Sequence, residues 1–183
     1  MSEALASRIP RHGNKLSPER IALIIEDAIE VVEGLVAFVK SERKLSESYI
    51  HELHQTLMRH QDSHEVVDSL GNLVERQLEK GVYKKNPNNP RRPDGEVHQY
   101  CPPEHVESEM DRLLDMAEQQ AQRSWPVEVR ASWLHHRFTQ IHPYSDGNGR
   151  IARSLASLIL LKDGFLPFLV PNSGWSSEYL PAL

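Results

Sequence analysis

The sequence predicts an all-α helical bundle with a small β-hairpin. Two observations carry that expectation. Apolar residues recur at three- and four-residue spacing through most of the 183 positions. One long stretch rich in Pro, Asn and Gly, between Lys80 and Pro103, interrupts them and holds a tight-turn signal. The composition fits one folded domain: 39% hydrophobic and 26% charged residues are too apolar for disorder, and a single cysteine rules out a disulfide framework. A net charge of −5 argues against nucleic-acid binding by phosphate neutralisation. No run reaches the roughly 20 apolar residues of a membrane helix. A soluble, cytoplasmic chain without nucleic-acid or membrane partners is expected.

Residues 1–16 are polar, with Pro10 and Gly13, and read as a flexible leader. The first helix starts at Ser17, a good N-cap, with Pro18 at its first position and Glu19 beside the positive end of the dipole. Its stripe of Ile21, Ile24, Ile25, Ala28, Ile29, Val32, Leu35, Val36 and Val39 predicts a docking face. Gly34 inside it costs about 1 kcal/mol relative to alanine and invites a packing or functional reason. A second helix starts at Ser46 with Ile50, Leu53 and Leu57 inward. A third carries Val66, Val67, Leu70, Leu73, Val74 and Leu78 toward Gly81.

The stretch from Lys80 to Pro103 is much longer than the usual 4–6 residues or so of a connection. Pro93-Asp94-Gly95 with Val97 and Tyr100 after it allows a hairpin there. Pro103 starts a helix bearing Val106, Met110, Leu113, Leu114 and Ala117. Pro126 starts another bearing Val129, Trp133, Leu134, Phe138 and Ile141. Pro143 ends that helix at His142 and presents the imidazole at its tip. A last helix runs from about Arg150 to Lys162, with Ile151, Leu155, Leu158 and Ile159 inward and Gly164 as its stop.

The chemistry lies in the segment His142-Pro-Tyr-Ser-Asp-Gly-Asn-Gly-Arg-Ile-Ala-Arg153. Arg150 and Arg153 stand three apart in a first helical turn, where the dipole is positive and acidic residues are favoured; two cations there want an anion. Backbone N–H groups at a helix start, approached closely through Gly147 and Gly149, cradle phosphate. Asp146 supplies one hard oxygen ligand for Mg²⁺. His142 supplies a base near neutral pH. Phosphate-centred group transfer follows from these parts.

This segment resembles the signature of the Fic family. The similarity extends from the helix containing Glu33 to the end of the chain, through Leu134-His-His-Arg-Phe-Thr-Gln-Ile-His142. The resemblance implies an all-α Fic fold with a flap hairpin, transferring AMP from ATP to a Ser, Thr or Tyr hydroxyl of a target protein and releasing pyrophosphate. It implies His142 as general base, Asp146 as the Mg²⁺ ligand, and Gly147, Asn148 and Gly149 lining the anion hole. Arg150 and Arg153 would contact the outer phosphates. Gly149 favours nucleotidyl transfer, since phosphorylating members carry lysine there. Tyr144 stands where the family usually has phenylalanine, so its hydroxyl needs a partner.

By the same resemblance, residues 17–45 form an N-terminal helix with an inhibitory Glu33-Gly34, and residues 46–183 the Fic core. Ser177–Leu183 reads as only the start of a further helix, so a truncated C-terminus is expected. Glu33 would pair with Arg153 and restrain transfer, although Ile29 replaces the Ser or Thr of that pattern. The flap, at about residues 82–100, would bind the target protein, with self-modification a further route. Two alternatives stay open: removal of AMP by the same residues, and a nucleotide-binding module without transfer.

Other signals lead elsewhere. His51-Glu-Leu-His54 has the wrong spacing for the zinc motif His-Glu-x-x-His and reads as surface or partly buried histidines. Lys84, Lys85, Arg91 and Arg92 read as solvated loop charges, and Cys101 as a bystander.

Overall fold

The computed structural model describes residues 17–41, 43–67, 72–90 and 95–170. The leader, Leu70, the Arg91–Asp94 turn and the Ser177–Leu183 stretch lie outside the described residues. Five helices make up the described bundle: α1 Pro18–Lys40, α2 Glu47–Leu57, α3 Val106–Gln122, α4 Val127–Ile141 and α5 Asn148–Lys162. A two-stranded antiparallel hairpin, β1 Ser63–Val67 and β2 Leu73–Gln77, follows α2. A 3₁₀ turn, Pro103–His105, leads into α3. No described helix is long and apolar enough to cross a membrane.

The helix starts follow the sequence. The Ser17 side chain accepts from Arg20 N–H and the Ser46 side chain from Tyr49 N–H, each satisfying a donor the helix leaves open. α4 and α5 are the most extensively packed pair, with α3 against α4 and both α1 and α2 against α5. The buried centre includes Ile50, Met58, Met110, Leu134, Phe138, Ile141, Tyr144, Ile151, Leu155 and Leu158. Each such side chain contributes about 1.5–3 kcal/mol by leaving water. Ala152 and Ala156 lie on the inner face of α5 with Ile151 and Leu155.

Four expectations are corrected. The segment expected to be a third helix is the hairpin. Its apolar residues happen to fit helical spacing, but His64 and Val66 are the more buried positions of β1, with Glu65 and Val67 exposed, a period of two. Val66 pairs with Val74 across the ladder, where β-branched side chains fit the pleat. The broad apolar stripe of α1 is only partly used. Asp27, Val31, Leu35 and Phe38 are its buried residues, whereas Ile25, Ile29, Val32 and Val36 remain exposed. Gly34 serves no close packing, since a Cβ there would meet nothing within 4 Å. Val129, expected inward on α4, is exposed.

The residues described between Lys80 and Pro103 form no strand beyond an isolated bridge at Val97. Pro90 C=O accepts from His98 N–H at 3.0 Å, and the segment lies against the end of α4 through Lys84 N–H to Pro143 C=O at 2.8 Å and Cys101 N–H to Gln140 C=O at 3.3 Å.

Candidate active site

His142 closes α4. Proline at 143 disfavours helical geometry at the residue before it. His142 accordingly takes the left-handed conformation, φ 52° and ψ 57°, while its N–H still donates to Phe138 C=O at 2.9 Å. Its Nδ1 lies 3.2 Å from Thr139 C=O. A carbonyl only accepts, so Nδ1 carries the proton and Nε2 keeps its lone pair. The Tyr100 ring stacks on the imidazole with centroids 3.7 Å apart. Burial pushes His142 down to about 4; the bond to Thr139 opposes this and the nearby Lys84 cation adds to it. The imidazole is therefore neutral at pH 7.

Lys84 is buried, contrary to the solvated charge its loop position suggested. Its Nζ donates to Asn88 Oδ1 at 2.8 Å and to Ile141 C=O at 3.4 Å, while its N–H binds Pro143 C=O. One residue thus holds the carbonyls on both sides of His142. Burial lowers Lys84 to about 8.

Below the loop, Tyr144 is fully buried and its hydroxyl bonds His51 Nδ1 at 2.8 Å, which supplies the partner a phenylalanine would not need. Its ring stacks on His54 at 3.9 Å. His54 Nδ1 accepts from Gly81 N–H at 2.8 Å, so its proton sits on Nε2 and is donated to Asp146 C=O at 3.1 Å. Both histidines of the rejected zinc motif therefore support the loop. Asn148 turns its amide inward: Oδ1 accepts from Tyr144 N–H at 2.9 Å and Nδ2 donates to Tyr144 C=O at 2.7 Å. Its side chain closes the loop, and only its backbone N–H is left for the anion cradle in which it was expected. Gly147, at φ 80°, is required, because a Cβ would lie 2.8 Å from Met58 Sδ.

Helix α5 begins just past this loop. Its first intrahelical bond runs from Ile151 N–H to Gly147 C=O, so the N–H groups of Asn148, Gly149 and Arg150 precede the ladder. A Cβ on Gly149 would lie 3.4 Å from Arg153 Nη1, which puts that guanidinium against the loop. Asp146 accepts from Gly147 N–H at 2.6 Å and from Gln61 Nε2 at 2.5 Å. Arg150 Nη2 donates to Gln61 Oε1 at 2.7 Å. Among the described residues no three His, Cys, Asp or Glu side chains gather as a metal cluster, so Asp146 is a single carboxylate beside a phosphate-type cradle.

The structure brings together His142, Asp146, Gly147, Asn148, Gly149, Arg150 and Arg153. It does not bring Glu33 to them. Glu33 stands about 200° round α1 from the buried Val31 at 100° per residue. It lines a shallow depression with Glu30, Gly34, Glu52 and Thr56, is exposed, and forms no ion pair among the described residues. The acid that α1 does bury is Asp27, which accepts from His60 N–H at 3.2 Å and from His60 Nδ1 at 3.0 Å. The sequence reading gave no site role to Gln61, Lys84, Tyr100 or Asp27. An apolar helix stripe broken by a buried-phase Asp was the one available signal.

Comparison with known proteins finds similarity over the segment that holds this site. A family model described as Fic/DOC family matches residues 44–160. A Fido domain-containing protein of Dictyostelium discoideum is 43% identical over 86 residues, 46% of this chain and 59% of that protein. A protein adenylyltransferase of Caenorhabditis elegans is 33% identical over 69 residues, 38% of this chain and 14% of that protein. A Fic domain containing signaling protein from Bacteroides thetaiotaomicron superimposes with a TM-score of 0.76 at 28% identity, over 92% of this chain and 59% of that one. The chain spans less than two thirds of the length of each.

Proposed function

The chain belongs to the Fic/DOC family, and from that premise we propose that it is a protein adenylyltransferase, moving AMP from ATP to a Ser, Thr or Tyr hydroxyl of a target protein. The observation that carries this reading is the fixed tautomer of His142. Its Nδ1–H is held by Thr139 C=O, and its Nε2 is free of the proton beside an anion cradle.

The hydroxyl oxygen of the target attacks the α-phosphorus of ATP as its proton passes to His142 Nε2. The bond from the α-phosphorus to the bridging oxygen breaks, and pyrophosphate leaves with the electron pair. The N–H groups at the start of α5, with Arg150 and Arg153, hold the charged phosphate oxygens in place. Gly149 leaves the Arg153 guanidinium room against the loop.

A divalent cation fits Asp146. Mg²⁺ is usually bound by one or two carboxylates together with substrate phosphates and water, and a lone carboxylate at the edge of a phosphate cradle is such a donor set. When bound, Mg²⁺ would neutralise charge on the phosphates.

The target would lie along residues 82–100, whose two ends are fixed over His142. Tyr100 N–H donates to Asn89 Oδ1 at 3.0 Å and Asn88 Nδ2 to Tyr144 C=O at 2.8 Å. A loop held over the base in this way suits recognition by strand addition.

The test is incubation with Mg²⁺ and ATP labelled on the α-phosphate, alone and with cell lysate. Protein-bound label is expected from the parent and not from His142→Ala, and label on the γ-phosphate should not transfer. ATP binding without any α-label on protein would instead make the chain a nucleotide-binding module.

A further inference from the structure

We propose that Gln61, outside the family's motif, is a positioning residue that keeps Arg150 and Asp146 apart and aimed at the phosphates and their cation. The proposal rests on the nucleotide reading above. Arg150 and Asp146 are four positions apart and oppositely charged, and Nη2 already lies 3.9 Å from Oδ2. Left alone, such a pair collapses into a direct ion pair, which would cost the cradle a cation and the metal its carboxylate.

Gln61 stands between them. Its Oε1 accepts from Arg150 at 2.7 Å and its Nε2 donates to Asp146 Oδ2 at 2.5 Å, with the same Nε2 3.3 Å from Ser63 C=O. Guanidinium has no acceptor and an ionised carboxylate no donor, so the orientation of the amide is fixed by its neighbours. An amide can serve both; a carboxylate at this position would serve Arg150 and repel Asp146. A carboxylate oxygen has two lone-pair directions, so the bond from Gln61 leaves Oδ2 able to bind a cation while fixing its direction. Groups that orient a metal ligand this way typically contribute 10–100-fold, roughly, in affinity or activity.

Gln61 is itself held. It is 6% exposed, and its N–H donates to Met58 C=O at 3.0 Å. The next residue, Asp62, takes Leu78 N–H at 2.8 Å at the root of the hairpin, and the preceding His60 is anchored on Asp27 of α1. The hairpin root and α1 thus set where the amide stands.

The test compares the parent with Gln61→Met, which keeps the volume, and Gln61→Glu, which keeps the acceptor and loses the donor. ATP binding in the presence of Mg²⁺ is measured by calorimetry, alongside KM and kcat for AMP transfer and the melting temperature. Both variants are expected to keep the melting temperature within a few degrees and to raise the ATP Kd and KM together by about 10-fold or more. The kcat should change much less. Parent-like Kd in Gln61→Met would overturn the proposal. Parent-like binding in Gln61→Glu alone would overturn the half that concerns Asp146. A parent that binds no ATP would overturn the nucleotide reading and this proposal with it.

Discussion

The rings of Tyr100 and His142 lie face to face, 3.7 Å between centroids and 9° from parallel. The covering ring keeps water from one face of an imidazole whose burial holds it at about 4. Tyr100→Ala admits water and should raise His142 toward its ordinary value of about 6.5. The base form is the deprotonated one, so the ratio of variant to parent labelling should fall as pH drops from about 8 to 5.5. Tyr100→Phe keeps the ring and should hold that ratio constant. A pH-independent ratio for the alanine variant would refute the covering role.

Three histidines make the fold acid-sensitive. His54, His135 and His142 are each lowered to about 4, in each case first by burial. Unfolded, each titrates near 6.5. Between the two values the unfolded chain binds more protons, so stability is fully present above about pH 6.5 and is lost as pH falls toward 4. Each histidine adds up to about 1.4 kcal/mol per pH unit to that slope. Urea unfolding at pH 7, 6 and 5 measures it, and replacing His135 with a non-titrating residue should flatten the slope by about one third. A stability independent of pH over this range would show that the histidines titrate in the fold as they do in the unfolded chain.

Tyr144→Phe restores the residue the family usually carries and strands His51 Nδ1. The expected loss is about 1 kcal/mol in urea unfolding, with AMP transfer close to that of the parent. A gain in stability would mean that the hydroxyl is not usefully bonded.

Glu33→Gln should label within about twofold of the parent, the effect of an exposed substitution. The pairing with Arg153 expected from the sequence is not formed here, and Glu33 faces away from the buried side of α1. A rise of tenfold or so in label would show instead that α1 turns when nucleotide is bound.

How much of this was legible in the sequence depended on range. The motif could be read because the loop's chemistry is local: two glycines, one carboxylate and two arginines act within a dozen positions, and Pro143 sets the imidazole's place by itself. The helix starts at Ser17 and Ser46 could be read for the same reason, and so could Pro103 and Pro126 as residues just ahead of α3 and α4. The hairpin could not, because Val66, Leu73 and Val74, which lie in its two strands, satisfy a helical period equally well. Nor could Gln61, which lies 85 positions before Asp146 and 89 before Arg150, or Lys84, whose loop composition suggests exposure. Their roles exist only once α2, the hairpin root and the loop before α3 have met.

The inward turn of the Asn148 amide has a thermodynamic consequence. Both hydrogen-bonding ends of that side chain are committed to Tyr144's backbone, and His54 clamps the carbonyl of Asp146. On the proposed function, a nucleotide arriving at the loop would find its shape already set, and the association would lose little chain entropy beyond that of the ligand and a few arginine rotamers. The heat of binding should accordingly report phosphate contacts rather than folding of the loop, with a heat-capacity change too small for coupled ordering of a segment.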